Sequence, residues 1–530
     1  MINNRYEQRL IHRISSISKQ AWLAAGAALI VGVIAHIAAL TGLLVNGDGM
    51  VPVVSGRWLL MQGKWANGFF ADMRGIVNMT IVTGFLALIW LSLSAGMMVS
   101  LLHIKSLALC ALCGAMMVTF PAVVCTYFYN APDIFFFSLM LSVSAVYVTK
   151  RYRYGFVPGA LLLGLSAGVY QAYVGMAAGL FLLLALSDLL EGEKPLKEVL
   201  LTGAKYIGVL LAGVILYYGV LQLILHTRGM SLANYRGIDQ MGQFTLASLW
   251  QAVVDAYEKV LRFFLFDQYG ATGAASARAL YRIVLAVCAA LFIGQIWRAN
   301  LYRKPGRLAV ALALVAVMPI AIHAVAVLGQ NAETHWLMIY AFVLVFVAML
   351  KLADLFANAA QPASEDSIQK RREGLSFAAK ACSILVSLAL VCSWYLVTTQ
   401  NYARMRLAYE GAFGTATVIA SGILAQEGFD KDTPVAVIGG ITEEREDFKY
   451  LNNFTGGFDK DMLFNSWVAQ SMITRYVQVD MAFVSVEEKE RLLTNPAFLE
   501  MPVYPNNGYI QTIDGVIVVK LATDEPIIFG

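Results

Sequence analysis

Asp48 stands in Asn46-Gly47-Asp48-Gly49, immediately after an apolar segment of about 25 residues, long enough to cross a bilayer. Behind it come Ser55-Gly56-Arg57-Trp58, then Lys64, Asp72 and Arg74. A carboxylate where a first membrane span re-enters water, with cations crowded after it, is an expensive arrangement for a mere connector. Its chemistry would be that of a general base, a carboxylate within about 3 Å of a hydroxyl that takes the proton as that oxygen attacks. Arg57, Lys64 and Arg74 would supply charge-assisted donors to an anion such as a departing phosphate. The plainer alternative is a solvated Asp48 that ends a helix and an Arg57 that pairs with lipid headgroups.

Further polar groups are expected on the same, outer face. Asp133 follows Pro132 at the end of an apolar run, where the helix dipole favours a carboxylate in the first turn. Tyr170-Gln171 forms an aromatic, polar turn, open to sugar stacking or to plain helix packing. Glu333 and His335, in the short stretch Gln330 to Trp336, could join a pocket. Two residues do not make a metal site, so use of a divalent cation stays open. Cys110-x-x-Cys113 has no second pair and lies in an apolar run, which makes it two small residues on one helix face.

These groups need a membrane scaffold to position them. The chain is 59% hydrophobic and only 14% charged, with a mean hydropathy of +0.65. Soluble domains carry roughly 25% charged residues, so the composition is that of a polytopic α-helical membrane protein. The net charge of +4 is spread over many loops and implies no nucleic-acid partner; membrane lipids are the expected surroundings. All six cysteines fall within or beside apolar segments, so no disulfide framework is implied.

Residues 1–20 form a basic N-terminus on the cytoplasmic side, followed by a membrane domain over 21–398. Apolar runs lie near 21–45, 77–102, 106–125, 132–149, 156–190, 203–225, 279–297, 308–328, 336–352 and 376–398. The run 156–190 is too long for one span and just long enough for two that turn near Tyr170. If it crosses twice, Lys150/Arg151/Arg153, Arg298/Arg303/Lys304/Arg307 and Lys370/Arg371/Arg372 all share the side of the N-terminus, as the positive-inside rule requires. About eleven transmembrane helices follow, with the C-terminus outside.

That topology leaves two large outer loops, 46–76 and 226–278, to form the site. In the first, Val51 to Phe70 suits an interfacial helix anchored by Trp58 and Trp65. In the second, Leu246, Trp250, Val253, Val254, Tyr257, Leu261 and Phe264 recur with helical period and predict another interfacial helix. Residues 399–530 read as a small α/β domain. Helices are expected at Tyr402–Gln426 and Met462–Tyr476, and strands at Thr433–Gly440 and Gly515–Leu521. Gly439-Gly440 could cradle a phosphate, though a simple strand-to-loop turn is the stronger reading.

Transporters place ionisable residues at the bilayer midplane on broken helices. Here the spans hold chiefly His323, Lys205 and Lys380, and the charged groups crowd one face instead, as in an enzyme acting on a lipid-linked substrate. Transfer of a sugar from a polyprenyl phosphate fits this distribution, because the leaving phosphate needs cationic donors more than an acid.

The chain resembles the bacterial type II glucosyltransferases that modify O-antigen, multi-span enzymes similar to glycosyltransferases of the type C fold. The resemblance rests on the acidic residue after the first span followed by Gly56-Arg57-Trp58, on Asn130-Ala131-Pro132-Asp133 opening a Phe-rich span, on Gly164-x-x-x-Gly168-x-Tyr170-Gln171-Ala172, and on a tail with a Val-Val-Lys strand. It implies a polyprenyl-phosphate-glucose donor, made by a glucose-to-polyprenyl-phosphate transferase, turned over by a flippase, and used at the periplasmic face of the inner membrane with lipopolysaccharide O-antigen as acceptor. It also implies Asp48 as the catalytic group, and the residues' own chemistry adds Arg57, Lys64, Arg74, Asp72, Asp133, Tyr170 and Gln171 as groups expected about the substrate. Family members often carry paired acidic residues at the Asp48 position, whereas here glycines flank it, which leaves Asp72 and Asp133 open as partners. An O-antigen polymerase or ligase using a lipid diphosphate donor, and a lipid-linked-sugar transporter, remain the alternatives.

Overall fold

In the computed structural model, residues 17–525 are described except 43, 45, 51–55, 75–79, 130, 234–237, 239–244, 267–274, 329–334, 359–365 and 442–462. The chain divides into two compact units. The first holds Ser55–Thr126 and Ala131–Thr398 together with the chain up to Gly42; the second gathers Leu43–Val54, Tyr127–Asn130 and Thr399–Gly530.

Ser18 starts helix α1 (Lys19–Thr41) by accepting the Ala21 amide on its hydroxyl. After the one-turn α2 (Gly47–Met50) come α3 (Gly56–Met61) and α4 (Asn67–Arg74). The single interfacial helix expected over Val51 to Phe70 is thus two short ones, because Gly63 takes a left-handed φ of 75° and turns the chain between them. Then follow α5 (Thr80–Leu102), α6 (Leu107–Thr119), α7 (Pro121–Tyr127), α8 (Pro132–Arg151), α9 (Phe156–Val169), α10 (Val174–Glu191) and α11 (Leu196–Arg228). The first unit continues with α12 (Leu246–Leu261), α13 (Ala275–Arg298), α14 (Pro305–Ile322), α15 (Val325–Leu328), α16 (Val343–Asn358) and much of α17 (Asp366–Leu424).

Small residues set the close helix contacts, as expected where apolar burial gives no preference between protein and lipid. A Cβ on Gly114 would meet the Ala24 carbonyl oxygen at 2.1 Å, so α6 lies almost backbone to backbone on α1. The buried His36 ring nitrogen reaches the Val118 carbonyl at 2.8 Å across the same contact.

Among the described residues nine helices are long and apolar enough to cross a bilayer, ten if α6 and α7, bent by 42° at their junction, form one span. Helix α9, with 14 residues, rises only about 21 Å and falls short of the hydrocarbon core by length alone. The count of about eleven crossings therefore exceeds what length and composition establish.

The 156–190 segment does double back, breaking at Tyr170 into α9 and α10. Asp188 near the end of α10 receives Lys150 from the end of α8 at 3.2 Å, and Lys194 at 2.8 Å, so the chain returns to the end it left. Further ties gather here. Lys205 donates to the Thr149 carbonyl at 2.9 Å, Lys351 pairs with Glu191 at 2.9 Å, and Asp354 accepts the Lys105 and Ser106 amides at 3.0 Å each. Arg307 donates to the Lys194 carbonyl.

Helix α12 forms where expected, with Thr245 and Ser248 as its capping box. Its buried face is not the large apolar stripe but Ala252, Ala256 and Val260, while Leu246, Trp250, Val254 and Leu261 stay exposed. Such a helix turns small residues to protein and large ones outward, the polarity a lipid-facing helix needs.

In the second unit β1 (Pro434–Ile438) is followed by α18 (Ser466–Ser471), β2 (Ala482–Phe483), α19 (Val486–Leu493), α20 (Pro496–Glu500), β3 (Ile510–Ile513) and β4 (Val516–Lys520). The sheet order is β2-β1-β4-β3, with β1 parallel to both neighbours and β3 antiparallel to β4. Ala436, Ile438, Leu492, Phe498, Ile513 and Val518 form its core. The buried Lys520 of the Val-Val-Lys strand donates to the carbonyls of Phe498, Leu499 and Met501 at 2.7, 3.2 and 2.9 Å, closing the end of α20. The helix expected from Tyr402 begins far earlier. No proline interrupts the chain between residues 376 and 424, and α17 runs 59 residues as one helix.

Lys351 is buried and Glu191 is its carboxylate. Glu191→Gln should cost on the order of 1–3 kcal/mol, by stranding that ammonium. The double variant Glu191→Gln/Lys351→Met should recover most of the loss. Thermal unfolding midpoints in detergent decide it, and a double variant no more stable than Glu191→Gln would refute the coupling.

Candidate functional site

Helix α3 ends in a Schellman motif. The Gly63 amide donates to the Leu60 carbonyl and the Lys64 amide to that of Leu59, both at 2.9 Å, with Gly63 in the left-handed region. Gly63 is needed a second time for space, since a Cβ there would lie 2.6 Å from the Tyr217 hydroxyl and 2.8 Å from Gln171 Nε2. Tyr217, buried on α11, donates to the Gly63 carbonyl at 3.1 Å. Gln171 Nε2 donates to the Gln62 carbonyl at 2.9 Å and to the Tyr217 oxygen at 3.0 Å.

Past the turn, the chain lies on the carbonyl end of α9, where the last helical oxygens lack intrahelical partners. The Ala66 amide donates to Gly168 O at 2.9 Å, and the Asn67 side chain to Val169 O at 3.4 Å. The Trp65 indole packs flat on Gly168, where a Cβ would come within 2.4 Å of it. Trp65 is therefore a packing residue against α9, not the headgroup anchor expected. Its buried Nε1 makes no hydrogen bond.

This turn aims Lys64. Its ammonium donates to Gln62 Oε1 at 2.7 Å and sits 5.6 Å from the centre of the Tyr170 ring. Tyr170 is itself held edge-on by Phe135 at 4.8 Å and Tyr173 at 5.4 Å. Helix α8 is locked to α9 by Ser138 and Ser166, each hydroxyl donating to the other's carbonyl at 2.8 Å.

Asp133 is buried in the first turn of α8, directly after Pro132. The next residues carry it to the same place: Ile134 packs with Ala66 and Val169, and Phe135 holds Tyr170. Lys64, Asp133, Tyr170 and Gln171 thus meet where α8 begins and α9 ends. Arg57 on α3 and Asp72 on α4 are exposed. Arg74 closes α4, and its side chain lies outside the described residues, as does Glu333 entirely. His335 is used locally, its Nδ1 accepting the Leu337 amide at 3.2 Å to cap a short turn.

Asp48 belongs to the second unit as the second residue of α2; its side chain is outside the described residues. Asn46 fixes this turn by accepting the Gly49 amide at 3.1 Å on its side chain, while its own amide donates to Phe128 O at 2.7 Å. Gly47 packs on the Phe464 ring, at 2.6 Å from where its Cβ would stand.

Gln62, Asn67 and Tyr217 were not marked by the sequence, and Trp65 was marked only as an interfacial anchor. A tyrosine hydroxyl within the apolar run 203–225 was the one available signal for Tyr217, since its partner Gly63 is 154 residues away. Chemically, Lys64 offers a donor to an oxyanion or a sugar hydroxyl, Tyr170 an aromatic edge, and Asp133 a carboxylate. Among the described residues no three His, Cys, Asp or Glu side chains gather as metal ligands.

A family model described as Glucosyl transferase GtrII matches residues 37–346, more than half the chain and every candidate from Asp48 to His335. Neither a curated protein nor a solved structure matches.

Gly63→Ala should destabilise the turn by about 1–2 kcal/mol, from left-handed strain and crowding of Tyr217. Tyr217→Phe should strand the Gly63 carbonyl at a similar cost of about 1–2 kcal/mol. In both, hydrogen exchange at the Lys64 and Ala66 amides should accelerate; exchange unchanged from the parent would contradict the assignment.

Proposed function

The chain belongs to the GtrII glucosyl transferase family and is a glycosyltransferase; from that premise we propose that it transfers glucose from polyprenyl-phosphate-glucose to lipopolysaccharide O-antigen or a related surface polysaccharide. The acceptor hydroxyl attacks the anomeric carbon, the bond from that carbon to the phosphate oxygen breaks, and polyprenyl phosphate leaves as an anion. The hydroxyl proton passes to Asp48. In-line displacement inverts the anomeric centre.

The observation that carries this reading is the buttressed Lys64 turn. A preorganised ammonium beside an aromatic ring and buried amides suits a phosphate leaving from a sugar, because the donors need no reorganisation as charge develops. Arg57 and Arg74 share the phosphate charge in this scheme, and Asp72, Asp133, Tyr170 and Gln171 bind sugar hydroxyls. Glu333 and His335 are assigned no step.

The reading includes an orientation. The basic helix ends tied together through Asp188, Lys194 and Arg307 suit the cytoplasmic side by the positive-inside rule. The Lys64 turn, at the opposite end of α9, then faces the periplasm, with 156–190 crossing twice and the 399–530 domain outside. A donor made in the cytoplasm needs a polyprenyl-phosphate glucosylating enzyme and a flippase as functional partners.

Purified protein in lipid should move radiolabelled glucose from synthetic polyprenyl-phosphate-glucose to lipopolysaccharide, with the anomeric configuration inverted. Asp48→Ala should lower the rate by about 10²-fold or more at unchanged insertion. Transfer only from a lipid diphosphate donor would instead favour a polymerase or ligase, and a fully active Asp48→Ala would remove that residue from the base role.

A further inference from the structure

The Gly439-Gly440 turn at the end of β1 does hold an anion, and the anion is the chain's own. Glu525 Oε2 accepts the Gly439 amide at 2.6 Å. Its Oε1 accepts the Ser466 hydroxyl and lies 3.7 Å from the Lys489 ammonium, which in turn donates to Ser466 Oγ at 2.9 Å. Three separate segments therefore aim a backbone amide, a hydroxyl and an ammonium at one carboxylate.

The donors are deep and the carboxylate is the outer member. Ser466 and Lys489 are buried, whereas the Glu525 side chain keeps 21% of its exposure. Gly439 takes φ 82°, which turns the chain out of the strand. The cradle lies at the carboxyl end of a strand flanked by two parallel neighbours, where open α/β sheets bind ligands. Burial pushes the Lys489 ammonium below its usual range and Glu525 draws it back, so this pocket is costly without an anion. Exchanging one oxyanion for another preserves the two hydrogen bonds, from Gly439 and Ser466, and the ion pair with Lys489.

We propose that Gly439, Ser466 and Lys489 form an oxyanion-binding site, specific for a carboxylate or phosphate group on a small molecule or glycan, with Glu525 as its displaceable resident. Binding releases the segment that carries Glu525 and so couples ligand to the conformation of that segment.

The test is equilibrium dialysis of full-length protein in nanodiscs against radiolabelled acetate and, separately, radiolabelled phosphate. Wild type, Glu525→Ala and Glu525→Ala/Lys489→Met are compared. Glu525→Ala should bind at least one anion saturably and one-to-one, well above wild type, and the added Lys489→Met should abolish it; which anion binds assigns the carboxylate or the phosphate. Should Glu525→Ala lose its near-ultraviolet dichroism, acetate or phosphate must restore it. Binding no greater than wild type, binding that survives Lys489→Met, or a lost fold that neither anion restores would overturn the proposal.

Discussion

The arrangement of the first unit's polar groups depends on how the carbonyl end of α9 is satisfied. That helix stops inside protein, and its last oxygens would be stranded there at a cost of a few kcal/mol each without donors. The Gln62–Asn67 segment supplies them. The same segment therefore has its backbone fixed at the point where Lys64 projects, with Tyr217 and Gln171 holding the other edge. A lysine on a free loop would lose much of its side-chain entropy on meeting a phosphate. Here Gln62 and the Tyr170 ring have already restricted it.

At the other end of α9 and α10 the constraint is electrostatic. Asp188 between Lys150 and Lys194, Glu191 against Lys351, and Asp354 on two loop amides tie the ends of α8, α10 and α16 to the loops that follow α5 and α10. These ties are partly buried, where removing one partner is far more costly than for a surface pair. They give the helix bundle a fixed end from which the Lys64 turn is held at a fixed distance. The second unit has its own counterparts in Lys520 on three carbonyls and Glu525 on two donors and the Lys489 ammonium.

Much of the helical scaffold was legible, because a run such as Thr80–Leu102 has no solution in a bilayer except a helix. So was Pro132-Asp133 as a helix start, since proline and an acidic residue both suit a first turn. Helix α12 was legible from its period, and Leu246 and Trp250 face out as an interfacial helix requires. What the apolar stripe did not mark is the face that packs on protein, made of the small Ala252 and Ala256. The break at Gly63 was hidden among other glycines, and only its distant partner Tyr217 distinguishes it. The identity of each spatial partner is a tertiary fact that periodicity does not carry. Asp48, by contrast, was marked by position alone, and its one-turn helix rests on Asn46 and Phe464, which no local pattern linked to it.

The central claim is that the buttressed Lys64 ammonium receives the donor phosphate. The phosphorus-31 resonance of polyprenyl-phosphate-glucose bound to the protein in nanodiscs, parent beside Lys64→Met, tests it most directly. The account predicts a bound resonance displaced from that of the free lipid in the parent and returned toward the free position in Lys64→Met. An identical bound resonance and affinity in the two proteins would contradict it.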